Sequence, residues 1–135
     1  MLKALIESGF GNDRKLNCAE KILYGANETY DLGLSSDALK LAAGFGGGMA
    51  VEEACGAITA AVMVLSKLFV EDTAHKSNKI KNLTTELLYS YETKMGSIIC
   101  KPLKKNHRSL FKGCDKVIIT AAECLDEIVK RELNL

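Results

Sequence analysis

The chain has 135 residues, 47% hydrophobic and 26% charged, with one proline and no tryptophan. That profile excludes a disordered or collagen-like polymer and leaves enough chain to bury a core as one domain, 1–135. The 18 Lys and Arg against 17 Asp and Glu leave a net charge of +1, so charge gives no overall reason to expect nucleic acid as a partner.

The hydrophobic spacing is helical throughout, with no alternating run that would read as a strand. A short opening helix is expected over 1–8, ending near Gly9 and Gly11. Asn12 or Asp13 is expected to cap a second helix carrying Leu16, Ala19, Leu23 and Ala26 on one face. Ser35 or Ser36 offers a cap for a helix over 37–43. The run Gly44-Phe45-Gly46-Gly47-Gly48 then breaks any regular element. Glu52 and Glu53 are expected to open the most apolar helix, which runs to about Phe69, because their charge suits its positive end. Its uncharged stretch, 54–66, is ~20 Å long as a helix, too short for a bilayer core, so no membrane span is expected.

Ser77 is expected to cap a helix with Ile80, Leu83, Leu87 and Leu88, which stops at Gly96. Residues 97–113 read as irregular and basic, and contain Pro102. A last helix, 115–133, places Val117, Ala121, Cys124 and Ile128 on one stripe. The expectation is an all-α fold, a compact single-domain bundle of five to six helices.

The chemistry centres on 5 cysteines, at positions 18, 55, 100, 114 and 124. No two are spaced as Cys-x-x-Cys, so neither a thioredoxin-type motif nor a zinc knuckle is present. Glu7 interrupts the apolar residues after Ile6, so no export leader is expected, and the location is expected to be cytoplasmic with reduced thiols. Cys18, Cys55, Cys100 and Cys114 fall at helix beginnings or in a loop, where a thiol is reachable and a helix end favours its anion. Cys124 lies mid-helix on an apolar stripe and reads as packing.

Between 94 and 114 stand Lys94, Lys101, Lys104, Lys105, Arg108 and Lys112, with no acid. Such charge lowers a thiol pKa and suits an anionic substrate or an acidic partner. Glu52 and Glu53 should act oppositely on Cys55, so electrostatics favours Cys100 or Cys114 as the nucleophile. The glycine run is not a dinucleotide fingerprint, since Met49 takes the sixth position, and no Gly-Lys-Ser/Thr follows. Its amides, at Gly46, Gly47 and Gly48, together with Gly56, are candidate anion- or cofactor-binding groups. The more ordinary role is a tight turn placing Cys55 beside another backbone, with Gly56, Ala57, Ala60 and Ala61 allowing close helix approach. His107 lies in the basic stretch as a ligand, a general base or a solvated side chain, while Asp126 and Glu127 read as solubilising charge on an outer face. No hydrolase motif is present.

The order Asn17-Cys18-Ala19, Gly44-Phe45-Gly46-Gly47-Gly48-Met49, Cys55-Gly56-Ala57, Cys100-Lys101-Pro102-Leu103 and Gly113-Cys114 resembles the redox-active protein family C_GCAxxG_C_C over nearly the whole chain. The resemblance implies that Cys18, Cys55, Cys100 and Cys114 are the functional set, with Cys124 outside it. The motif's last glycine is Ala60 here. The resemblance also implies a redox role, a link to a transport system, and a competing role in which an iron–sulfur cluster is bound.

Three readings follow. In thiol–disulfide exchange, Cys100 and Cys114 would pair across their short separation, and Cys18 with Cys55, the partner being a redox protein or a small thiol. In the second, all four thiolates would hold zinc or an iron–sulfur cluster. In the third, the chain is a helical interaction module whose basic loop docks an acidic partner, with the cysteines as packing. A homo-oligomer is compatible with each.

Overall fold

Seven α-helices form among the described residues, 1–110 and 112–135 of the computed structural model, with two isolated β-bridges and no strand. They are α1 (Leu2–Glu7), α2 (Cys18–Thr29), α3 (Ser36–Leu39), α4 (Gly56–Phe69), α5 (Lys79–Met95), α6 (Cys100–His107) and α7 (Asp115–Leu133). The all-α class agrees with the helical periodicity. The count exceeds five to six because the stretch 97–113, expected to be irregular, contains α6. Pro102 is the third residue of that helix, within the first turn, where a missing N–H breaks no intrahelical bond.

Two helices start later than their charges and caps indicate. The cap of α2 is Asn17, not Asn12 or Asp13: its side chain accepts from the Glu20 amide, and the Glu20 carboxylate accepts from the Asn17 amide, both at 2.9 Å. The chain from Gly9 to Lys15 is held in turns instead, with Gly9, Gly11 and Lys15 at positive φ. Likewise α4 is not opened by Glu52 and Glu53. The chain takes a left-handed path through Gly47, Gly48, Met49 and Ala50, and again at Glu52, so the helix begins only after Cys55.

The apolar stripes converge on α4, whose Gly56, Ala57, Ile58, Ala60, Ala61, Val64 and Leu65 are all buried. It packs against α2, α5 and α7, while α1 lies on α7 and α2. Small residues at 56, 57, 60 and 61 let α2 approach closely, as their spacing indicates. From α5 the core receives Leu83, Leu87, Tyr91 and Met95, and from α7 the expected stripe Val117, Ala121, Cys124 and Ile128. No helix among the described residues is long and apolar enough to cross a membrane.

Asp126 departs from its expected solvated position. It is only 7% exposed, and its carboxylate accepts hydrogen bonds from the amides of Leu2 (3.0 Å) and Lys3 (2.9 Å) and from the Tyr30 hydroxyl. Helix α1 has no side-chain cap of its own, so Asp126 on α7 supplies it and also ties in the end of α2. Burial is tolerated because both carboxylate oxygens accept hydrogen bonds, two at Oδ1 and one at Oδ2. Replacing Asp126 with Ala is expected to destabilise the protein by about 3 kcal/mol, since charged hydrogen bonds are lost and a half-buried phenol is orphaned. Asp126→Asn, which keeps one acceptor oxygen, should lose less. Urea unfolding of the two variants checks the order.

Candidate functional site

Cys18, Cys55 and Cys114, expected near helix beginnings, stand there in the fold, whereas Cys100, expected in a loop, also begins a helix. Cys18 is the first residue of α2 and Cys100 the first of α6, whereas Cys55 and Cys114 are the residues immediately before α4 and α7. All four line one cavity of about 330 Å³, which is completed by Leu16, Asn17, Gly47, Gly56, Leu103, Val117 and Ile118. Cys55 and Cys100 are buried, 3% and 8% exposed, whereas Cys18 and Cys114 are partly exposed. Cys124 is buried outside the cavity, where the Ser90 hydroxyl donates to its sulfur at 3.5 Å, in keeping with its reading as packing.

Local backbone bonds set these positions. The Cys55 amide donates to the Ile98 carbonyl (2.8 Å) and the Cys100 amide to the Glu53 carbonyl (2.6 Å), clamping the starts of α4 and α6 side by side. Asn17 reaches across with its side-chain amide to the Ala43 carbonyl at 2.9 Å, tying the start of α2 to the head of the glycine run. The glycines serve this convergence. A Cβ on Gly56 would stand 2.7 Å from the Cys18 sulfur and 2.6 Å from the Phe45 carbonyl oxygen. One on Gly48, which also has φ +62°, would meet the Glu53 amide at 2.5 Å and the Cys100 Cβ at 2.7 Å. Gly46 lies beneath the Asn17 side chain. Of the four glycines expected as ligand-binding groups, Gly47 and Gly56 face the cavity, whereas Gly46 and Gly48 do not line it. Ala60 is fully buried in the core and does not line the cavity either, so the change from glycine falls on helix packing.

The basic stretch divides. Lys104, Arg108 and Lys112 line the cavity, joined by Lys21 from α2 and by one acid, Asp115. Lys94 points elsewhere and binds Glu123 and Glu127 at 3.0 Å each. Glu52 pairs with Lys104 at 3.5 Å rather than acting on Cys55. His107 does not line the cavity; its Nε2 donates to the Met95 carbonyl at 3.0 Å, a structural bond at the start of the α6 connection.

Burial dominates the thiol electrostatics. It pushes Cys55 up to about 11, and a nearby Cys18 charge adds to the effect while helix amides and the Tyr91 hydroxyl oppose it. Cys100 is also raised by burial, against the pull of Lys104, with Cys18 and Cys114 adding repulsion. Cys114 is raised by burial against Arg108 and Lys104, again with Cys18 adding. A charge on Cys18 therefore opposes ionisation at each of the other three sulfurs, and one on Cys114 opposes it at Cys100. Both pairs expected from the sequence share the one cavity, yet at Cys100 and Cys114 the cations only offset burial and do not yield a lowered thiol.

Tyr91 is the residue that sequence reasoning missed. It is wholly buried, donates to the Val117 carbonyl at 3.3 Å and stands beside Cys55. Its place one turn beyond Leu87 on the α5 stripe marks it as core, and nothing in the spacing announces a phenol beneath a thiol. Asn17 and Glu20 were legible in principle, since Asn-x-x-Glu is the pattern of a reciprocal cap.

All five cysteines are free thiols, and no three His, Cys, Asp or Glu side chains among the described residues are grouped to hold a metal ion. The arrangement can support exchange between neighbouring sulfurs in a partly screened, positively rimmed cavity. Burial keeps Cys55 protonated at neutral pH. Timed alkylation with iodoacetamide, read by peptide mass spectrometry, is expected to label Cys18 and Cys114 well before Cys55 and Cys124. Gly56→Ala should disturb this order by displacing the Cys18 sulfur.

No curated protein and no solved structure gives a significant match to this chain. One family model does: that described as "Putative redox-active protein (C_GCAxxG_C_C)", over residues 16–128. The match runs from just before Cys18 to well beyond Cys114, and so contains every sulfur of the cavity as well as the glycine run beside it. By that match, the chain belongs to the C_GCAxxG_C_C family of redox-active proteins.

Proposed function

We propose that the protein performs reversible thiol–disulfide chemistry in the four-cysteine cavity. The observation that carries this reading is the delivery of four sulfurs, from positions spread over the chain, to the wall of one cavity. Each proposed pair joins a partly exposed thiol to a buried one in the same cavity: Cys114 with Cys100, and Cys18 with Cys55. In each pair the exposed thiol is the one an external disulfide reaches, and the buried thiol resolves the mixed disulfide.

Cys114 is the first nucleophile in this reading. Arg108 and Lys104 act on it, and it begins the 19-residue helix α7, so its thiolate is stabilised at the moment of attack even though burial keeps it protonated at rest. The attacking thiolate displaces one thiolate from the external disulfide. Cys100 then displaces the second, leaving a Cys100–Cys114 disulfide and two reduced thiols, so two electrons pass from protein to substrate. Cys18 lines the same cavity as both members of that pair, and exchange in this reading passes the disulfide on to Cys18 and Cys55.

The test combines metal content with thiol mapping. Protein purified without oxygen is expected to be free of stoichiometric iron or zinc, and graded oxidation should form Cys100–Cys114 before Cys18–Cys55, leaving Cys124 free. Cys100→Ser or Cys114→Ser should remove the first disulfide and Cys18→Ser only the second. Stoichiometric metal, lost equally with any of the four serine variants, would instead establish the site as a four-thiolate ligand set. Thiols that stay reduced at mild oxidant, with no metal, would return the cysteines to packing.

A further inference from the structure

The chemical class of substrate follows from the charges at the cavity mouth, and this step rests on the exchange reading above. Four cations line the cavity, and among the described residues three have no carboxylate partner. Lys21 donates only to the neutral Asn12 side chain, at 2.6 Å. Arg108 and Lys112 are exposed and have no carboxylate partner among the described residues; Arg108 directly precedes Ser109 and Lys112 directly precedes Gly113, whose backbones exchange bonds of 2.9 and 3.0 Å. Lys104 is partly neutralised by Glu52, and Asp115 is the one acid on the wall. Unpaired like charges held together on a rim disfavour the empty site and favour an anion that fills it.

Size narrows the class. A cavity of about 330 Å³ is at the small end of small-molecule sites, which span roughly 300–1,000 Å³. It holds one arm of a small disulfide, not a folded partner's loop. Leu16, Leu103, Val117 and Ile118 supply an apolar floor for a methylene-sulfur segment beneath the charged rim.

We infer that the site takes a low-molecular-weight disulfide whose arms carry carboxylates, seated with its sulfur against Cys114 and its carboxylates on Arg108, Lys112 and Lys21. Cys114, and later Cys100, first gives up its thiol proton to water; the Cys114 sulfur then forms the bond to the nearer substrate sulfur as the substrate S–S bond breaks. The departing thiolate takes a proton from water. Cys100 then closes on Cys114 and releases the second arm, so the substrate is reduced by two electrons and the protein oxidised by two.

The experiment follows the rate at which the fully reduced protein reduces three probes: glutathione disulfide, with net negative charge; bis(2-hydroxyethyl) disulfide, neutral; and cystamine, a dication. Each rate is divided by that of dithiothreitol on the same probe, and the neutral probe corrects for any change in thiol reactivity. The wild type is expected to favour the anionic over the neutral probe by about tenfold, the scale of two or three exposed ion pairs acting together, and to disfavour cystamine. Raising the salt to 0.5 M should erase most of the preference. Arg108→Glu with Lys112→Glu should invert it, and Arg108→Gln with Lys112→Gln should flatten it. Both positions are exposed, so melting temperatures should hold. If anionic and neutral probes react alike in wild type and variants, the substrate assignment fails while exchange stands. If no probe is reduced, the exchange reading itself fails.

Discussion

The backbone bridge between Ala54 and Ile99 is the constraint on which the site depends. Helix starts leave their first amides without intrahelical acceptors, and here two such amides, of Cys55 and Cys100, are satisfied by carbonyls of the opposing segment. The same two bonds therefore complete two helices and fix two sulfurs relative to each other. For the bridge to form, residues 46–53 must fold tightly beside Cys18 and Cys100. That requirement accounts for Gly48 at a position where a Cβ would collide with backbone, and for Gly56 where it would collide with the Cys18 sulfur.

Holding this loop has a cost. Met49, Ala50 and Glu52 sit in the left-handed region, each at about 1–2 kcal/mol above an ordinary conformation. The offset is visible around them: the Glu53 amide closes on the Gly48 carbonyl at 3.0 Å, Glu52 pairs with Lys104, and Asn17 bonds the Ala43 carbonyl. The first closes the loop on itself, and the other two join it and the residues leading into it to α6 and α2, which begin with Cys100 and Cys18. Strain in the loop and geometry of the thiols are thus properties of one assembly.

Much of this could be read from the chain alone, and the failures have identifiable physics. The stripes of α5 and α7 follow helical spacing and appear in the core as expected, because burial of a continuous face decides them. The starts of α2 and α4 were misplaced because local charge and capping preference are worth ~1 kcal/mol and yield to tertiary geometry. Asp126 was read as surface for a related reason: its partners, Leu2, Lys3 and Tyr30, are distant in sequence, and a buried carboxylate looks like an exposed one until they are placed. The four cysteines were legible as a set by their positions at helix beginnings or in a loop. Their meeting in one cavity was not, since long gaps leave the distance between them undetermined. The basic stretch was legible as charge but not as a divided surface, with Lys94 spent on α7 and only Lys104, Arg108 and Lys112 turned to the sulfurs.

Placement at helix starts and placement in a cavity pull the thiols in opposite directions, and burial wins. Burial outweighs the helix amides at Cys55 and the cations at Cys100 and Cys114. A site tuned for maximum resting reactivity would expose its nucleophile and lower its pKa. Here burial holds Cys55, Cys100 and Cys114 toward the protonated form, which disfavours indiscriminate oxidation of those three. The shared cavity adds a second restraint, because a charge on Cys18 opposes ionisation at the other three. In the proposed exchange, electron pairs would therefore leave in sequence, first through the thiol that the rim cations stabilise.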